Sequence, residues 1–483
     1  MEGMSFSLSE RQRKALSRIV GESHVLWREE DLLVYECDAY TLEKHLPTAV
    51  VLPGDPREVR EVVRFCATEG LPIIPRGAGT SLSGSVAAVG GGVVVSLSRM
   101  RRILSIDPRN RRALVEAGCV NLHLTQAASR YGLVFAPDPS SQGACTIGGN
   151  VATNSGGPHT LRYGVTTNHV LGLELVLSDG QTVWLGVRPE EGDDAPGLDL
   201  RGVVIGSEGM LGIVTQVLVR LIPPPPARKT LLVAFPSVTE ASRAVSAIIE
   251  AGIVPGALEM MDELIIRAVE ATYQFGFPQG AGAVLIIELE GVPSGLDRLA
   301  AKVEDLCRKA NACEVRVATT EKERNHLWKA RKGAFGAVGR ISPNYLTQDG
   351  VVPRSHLAEI TGWIEACSKK YGVTIGNVFH AGDGNIHPLI LYDEQDPDQV
   401  RRALAAGREI LERCLELGGS VTGEHGIGLE KMDLLEKQFG AAELALMQAL
   451  RRAFDPQGRC NPYKMFPSSR RCADFFPRRQ IAA

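Results

Sequence analysis

The stretch PDPSSQGACTIGGNVATNSGGPHTLRYG, residues 137–164, consists mostly of small residues and carries few charges. That composition suits a flexible linker. Yet Ile147, Val151, Leu161 and Tyr163 punctuate it, and apolar side chains of that size gain by leaving water. An ordered loop packed on a large ligand accounts for both features. Nearer the N-terminus, PRGAGTSLSG (75–84) follows an apolar strand directly. Gly77 and Gly79 let backbone N–H groups approach an anion closely, and Thr80, Ser81 and Ser83 add hydroxyl donors. A third loop, GSEGMLGIVT (206–215), again sets glycines before a strand. The spacing is neither the Gly-x-Gly-x-x-Gly of a dinucleotide turn nor a P-loop. Three such loops in one region suggest an extended ligand with phosphates and a ring system.

Outward from these loops, short apolar strands alternate with helices. Asp55 caps a helix that begins at Pro56 and ends at Gly70, with Val59, Val62, Val63 and Cys66 on one face. Four consecutive prolines in LIPPPPARKT (221–230) can continue neither helix nor central strand, so a domain boundary is expected near Pro224. Beyond it, LLVAF, TEASRAVSAIIEAG, GALEMM, AVLIIELEG, LDRLAAKVEDLCRKAN and EVRVAT give the β-α-β-β-α-β order of a ferredoxin-like sheet. The remainder reads as mostly helical, with VFHAGDGNIHP and TGEHGIG set between helices.

Net charge is −3 over 483 residues, which gives no basic field for nucleic acid. The first twenty residues show no signal peptide, and no uncharged run is long enough for direct membrane insertion. Ten cysteines include no Cys-x-x-Cys pair, which argues against a zinc ribbon or an iron–sulfur cluster held by this chain. A cytoplasmic location with reduced thiols is expected, any membrane association coming through partner subunits.

VFHAGDGNIHP (378–388) places two histidines around a Gly-Asp-Gly turn. The bland reading is a hairpin with histidines in water. If Asp383 and Gly384 form a two-residue turn, His380 lies directly opposite His387 on one sheet face. Cβ atoms ~4.5–5.5 Å apart would let both imidazoles reach one ion. A slip of one residue would separate them. TGEHGIG adds Glu424 and His425, whose side chains diverge if the segment is extended. His24, His45, His123, His326 and His356 lie in helical or polar contexts and read as surface or satisfied residues.

The segments RGAGTSLSG, APDPSSQ, IGGNVATNSGG, GSEGMLG, GALEMMD, GRISPNY, VFHAGDGNIHPLIL and GEHGIG jointly resemble the flavoprotein family of vanillyl-alcohol oxidase and p-cresol methylhydroxylase. Within it the likeness is to FAD-linked 2-hydroxy-acid oxidases and dehydrogenases, above all the flavin (D) subunits of bacterial glycolate oxidases. The resemblance spans nearly the whole chain. It implies an α+β fold: a two-part PCMH-type FAD-binding domain plus a ferredoxin-like substrate or cap domain with a helical C-terminal part. The expected divisions are an N-terminal helical segment (1–45), the FAD-binding domain (46–225), the cap with the metal hairpin (226–425), and C-terminal helices returning to the FAD domain (426–483).

The resemblance also implies a ligand set. Arg76, Gly77, Ala78, Gly79, Thr80, Ser81 and Gly84 would cradle the FAD pyrophosphate. Pro137, Asp138, Ser141, Gly148, Gly149, Asn150, Asn154 and Ser155 would line the isoalloxazine and ribityl chain. Glu208, Gly209 and Ile213 would lie near the adenine end, and Asn461 in RCNPYKMFP would return towards the cofactor. Some relatives hold flavin covalently through a histidine in or beside the first loop. Residues 75–84 contain none, so non-covalent FAD is expected, with His159 and His169 the nearest exceptions.

By the same resemblance His380, His387 and Glu424 would bind a divalent metal such as zinc, manganese or iron, with His425 as base and Arg331 on the substrate carboxylate. Lys329 and Lys332, on the same helix, read as a solvated basic face. The implied reaction is metal-assisted proton abstraction from a small 2-hydroxy acid with hydride transfer to flavin N5, glycolate giving glyoxylate or D-lactate giving pyruvate. Positions where 2-hydroxyglutarate enzymes carry polar groups fall at Phe335, about Thr347, and Leu389, which favours a monocarboxylate. The implied partners are a second flavin-domain-like subunit and an iron–sulfur subunit of a glycolate oxidase complex. Competing readings are a flavoprotein subunit without catalysis, and a metal-dependent hydrolase.

Overall fold

A computed structural model describes residues 7–190 and 197–467. Three sheets organise them. The first holds Val25–Leu26, Ala49–Val51, Val93–Ser96 and Ile73–Arg76, in that order. Its last three strands run parallel and are almost wholly buried, as parallel sheets covered by helices must be. Helix Pro56–Glu69 packs on it through Val59, Val62, Val63 and Cys66. The Asp55 side chain caps that helix by accepting from the Arg57 and Glu58 N–H groups, and left-handed Gly70 closes it.

The second sheet is antiparallel, in the order Ile103–Asp107, Arg112–Glu116, Ile213–Arg220, Val170–Val176 and Thr182–Gly186. The proline run 223–226 carries the chain from its strand Ile213–Arg220 to strand Ala227–Phe235 of the third sheet.

That third sheet begins with the expected ferredoxin-like order: Glu314–Val317, Ala227–Phe235, Ala283–Gly291, Ala257–Asp262. It then continues through Ile375–His380, Asn385–Tyr392 and Asn344–Thr347, with Gly350–Val351 beside Asn385–Tyr392. In chain order the histidine hairpin lies between helices Leu357–Tyr371 and Pro397–Glu416, as expected. It extends the cap sheet, Met260 pairing with Phe379 and Met261 with Val378. One face carries the core around Phe235, Phe379 and Ile410, and the other the core around Ile265, Ala334 and Leu389.

The C-terminal segment returns to the first sheet. Ile73 N–H donates to the Arg459 carbonyl at 2.9 Å, and Asn461 N–H donates to the Ile73 carbonyl at 2.7 Å. No described helix is long and apolar enough to cross a membrane.

Candidate active site

A cleft of about 670 Å³ runs between the first two sheets and ends against the third. Its walls include Arg76, Gly77, Ala78, Gly79, Thr80 and Ser81 from the first loop, and Ser141, Gly148, Gly149, Asn150 and Ser155 from the second. Glu208, Gly209 and Ile213 come from the third. Gly77 is a close-approach glycine, since a Cβ there would stand 2.4 Å from Thr146 Oγ1. Asn150 is 1 % exposed, and neither its Nδ2 nor its Oδ1 finds a partner among the described residues. A buried amide so placed costs free energy unless something in the cleft bonds it. The donors, the glycine cradle and this orphaned amide fit an extended dinucleotide.

Five residues expected in the cleft lie outside its lining. Gly84 packs beneath Tyr40 and Leu429. The Pro137 carbonyl accepts from Asn121 Nδ2 at 3.0 Å, and Asp138 is spent on His159 Nδ1 at 2.8 Å. Asn154 ends the helix Ile147–Thr153 in the left-handed region, φ 52°, and its Oδ1 accepts from Thr167 N–H. Asn461 is a clamp, donating from Nδ2 to the Ser85 and Glu208 carbonyls at 2.8 and 2.6 Å. Neither His159 nor His169 lines the cleft; His169 Nε2 bonds the Tyr163 carbonyl instead. Sequence reasoning missed Asp38, Thr146 and Ser207, which do line it.

At the far end the cleft reaches His387, Glu424 and His425. Ligand-type atoms of His380, His387 and Glu424 all lie within 4.8 Å of one another. Glu424 Oε1 is 3.2 Å from His380 Nε2 and 3.3 Å from His387 Nε2. The hairpin reaches this by another register than expected: His380 pairs with Asn385 and Val378 with His387. Four residues, Ala381–Gly384, form the turn, and Gly384 at φ 80° lies against the Val352 carbonyl. A shift of two residues keeps both imidazoles on one face, their rings 5.0 Å apart and perpendicular. Each ring is held from behind, His380 Nδ1 by Glu259 at 2.9 Å and His387 Nδ1 by the Gln348 carbonyl at 3.2 Å. Such outer partners fix which nitrogen faces the site.

TGEHGIG is not extended. It folds around the carboxylate of Asp349, which accepts from the N–H groups of Gly423, Glu424 and His425 at 3.0, 3.2 and 2.9 Å. Thr422 Oγ1 adds a donor at 2.6 Å, Asn385 Nδ2 one at 2.9 Å, and Lys431 Nζ stands 3.4 Å away. Burial opposes ionisation of Asp349, yet His425 and Lys431 hold it well below the usual carboxylate range. His425 stacks on His387 at 4.9 Å. Burial brings its imidazole down to about 4, against the pull of Asp349, so the ring is neutral. Its Nδ1 has no partner among the described residues.

Arg331 is fully buried behind the cleft wall, and its Nη2 forms an ion pair with Glu259 at 2.7 Å without hydrogen-bond alignment. Nε and Nη1 have no acceptor among the described residues. Lys332, read as solvated, does line the cleft, together with Phe335, Tyr345 and Thr347. The donor set of two imidazoles and a carboxylate, with Glu424 Oε2 and His387 Nε2 making no hydrogen bond, suits a divalent ion.

Comparison with known proteins accords with this layout. Residues 47–186 match the family described as "FAD binding domain", and residues 224–465 match "FAD linked oxidases, C-terminal domain". The chain is 45% identical over 461 residues to the glycolate oxidase subunit GlcD of Escherichia coli (strain K12), covering 95% of this chain and 92% of the relative. It is 31% identical to the mitochondrial D-lactate dehydrogenase [cytochrome] of Arabidopsis thaliana, over 88% of this chain and 74% of that protein. The crystal structure of p-cresol methylhydroxylase with substrate bound shares the fold, at a TM-score of 0.80 and 20% identity, over 94% of this chain and 95% of that one. Both halves of the chain thus match one two-domain flavoprotein plan, and the protein belongs to the FAD-linked oxidases as an FAD-dependent oxidoreductase.

Proposed function

We propose that this oxidoreductase oxidises a small 2-hydroxy acid, glycolate to glyoxylate, with a divalent metal held by His380, His387 and Glu424. The observation that carries the reading is the convergence of these three side chains and His425 at one end of the FAD cleft. When bound, FAD supplies the two-electron acceptor and the cation the Lewis acidity that eases loss of the hydroxyl proton. His425, neutral and next to Glu424, takes that proton as general base. Arg331 offers its two unpartnered donors to the substrate carboxylate, and Glu259 orients both Arg331 and His380. The phenyl ring of Phe335, the short side chain of Thr347 and the buried Leu389 leave no buried partner for a second carboxylate. Lys332 is exposed, and an exposed ion pair adds little.

A second reading, oxidation of D-lactate to pyruvate, is supported by the apolar surface that Phe335 would offer a substrate methyl group and by likeness to the plant D-lactate dehydrogenase. The E. coli relative is named a subunit. We propose that this chain likewise works with further subunits, which by the sequence resemblance are a second flavin-domain-like subunit and an iron–sulfur subunit that takes the electrons onward, in a cytoplasmic complex.

Anaerobic stopped-flow mixing tests the proposal. Glycolate should bleach the flavin, D-lactate more slowly, and D-2-hydroxyglutarate not at all. Flavin that stays oxidised with every 2-hydroxy acid would overturn it. His425→Ala should slow bleaching by ~10²-fold or more. Chelation followed by metal analysis should remove one ion together with activity, and zinc, manganese or iron should restore it.

A further inference from the structure

A second cavity, about 210 Å³, adjoins the metal end of the cleft and shares four wall residues with it: Ala39, Leu82, Tyr345 and Thr347. Its outer rim, at Ala39, Thr41 and Pro343, is exposed, while its floor, at Leu346, Thr347 and Tyr392, is buried. It is therefore a funnel from solvent towards the site. The floor is close to the chemistry in sequence as well as in space. Thr347 precedes Gln348, whose carbonyl holds His387 Nδ1. Tyr345 and Thr347 alternate on one strand, opposite Leu391 and Leu389. Burial pushes the Tyr345 phenol above its ordinary pKa, and its hydroxyl makes no hydrogen bond among the described residues. Cofactor bound along the main cleft would close the path past residues 76–81, 148–150 and 207–209. A substrate that exchanges at each turnover then needs another way in.

We infer that this side funnel admits and releases the small carboxylate while FAD stays bound, and that Tyr345 is its gate, setting the length of 2-hydroxy acid that passes. The inference rests on the 2-hydroxy-acid reading. An aromatic wall with one free hydroxyl suits a short, polar, monoanionic substrate: the ring limits width and the hydroxyl offers one hydrogen bond. Longer aliphatic chains would have to displace the ring.

The test uses the FAD-loaded protein and anaerobic flavin reduction by glycolate and 2-hydroxyoctanoate. Thr41→Trp and Pro343→Trp each add bulk at the exposed rim, at positions that line the side cavity and not the main cleft. Each should lower the second-order reduction constant for glycolate about 10-fold while leaving the limiting rate at saturation and the flavin spectrum as in the wild type. Tyr345→Ala should shift the ratio of second-order constants towards 2-hydroxyoctanoate by about 10-fold or more. Unchanged second-order constants in both rim variants would overturn the access route, and an unchanged ratio in Tyr345→Ala would overturn the gate. In either case wild-type reduction by glycolate would still stand. Wild-type flavin unmoved by any 2-hydroxy acid would instead remove the function on which both rest.

Discussion

Replacing Asp349 by asparagine would keep the side chain's shape and remove its charge. The carboxylate gathers three consecutive N–H groups, Gly423 to His425, and so aims Glu424 and His425 from one short turn. It is also the counter-ion of fully buried Lys431. Breaking a buried pair by neutralising one partner costs ~3–5 kcal/mol. Asp349→Asn should therefore lower thermal stability by about that amount and slow flavin reduction, as differential scanning calorimetry and stopped-flow absorbance would show. Glu259 works from the other side, orienting His380 and balancing Arg331. Glu259→Gln should weaken metal affinity by ~10–100-fold, read by competition with a chromophoric chelator. Neither acid stood out in the sequence. Asp349 lies in TQDG and Glu259 in a buried strand, and only folding shows which backbone amides and which imidazole they meet.

The hairpin Ile375–His380 and Asn385–Tyr392 shows what a strand pattern can and cannot specify. Two histidines on one face were legible because side chains alternate with period two. The turn length was not. Asp-Gly favours a two-residue turn, but here the Gly382 N–H donates to the Leu258 carbonyl of the neighbouring strand, and the loop widens to four residues. Tertiary pairing with Ala257–Asp262 overrode the local preference, and the even shift left the site intact. The same geometry makes Gly384 sensitive. It sits at φ 80°, and a Cβ would stand 2.1 Å from the Val352 carbonyl. Gly384→Ala should cost ~1–2 kcal/mol for the left-handed backbone alone, with further loss from the clash. Metal content per protein should fall with stability, whereas Gly418→Ala, at a positive φ in open space, should lose stability and keep its metal.

At the scale of the molecule, the small-residue loop that marks the fold also ties the FAD half to the cap. His159 bridges Asp138 on its own loop, at 2.8 Å, to Glu288 in the cap sheet, at 3.3 Å. Tyr163 donates to Glu290 at 2.6 Å, while Arg228, Arg324 and Trp328 complete the cluster. Nothing in IIELEG itself marks Glu288 and Glu290 as buried, because the cations that cover them come from remote segments. Leu161 and Tyr163 were legible as side chains that leave water, but they meet the cap and not the ligand cleft to which the sequence assigned them. Burial would lower the His159 pKa, but Asp138 and Glu288 raise it from 6.5 to about 10. Burial would raise Glu288, but His159, Trp328 and Arg324 lower it from 4.5 to about 2. A raised histidine stabilises fully below its unfolded pKa and loses that contribution as pH rises through its folded one, and a depressed carboxylate does the reverse on the acid side. The clasp should then be strongest between about pH 4.5 and 6.5 and fade as pH approaches 10. Thermal unfolding of His159→Gln beside the wild type checks this. The gap between the two melting temperatures should be widest near pH 6 and narrow steadily towards pH 10, and a gap that is flat with pH would mean that His159 joins the two halves as a neutral ring.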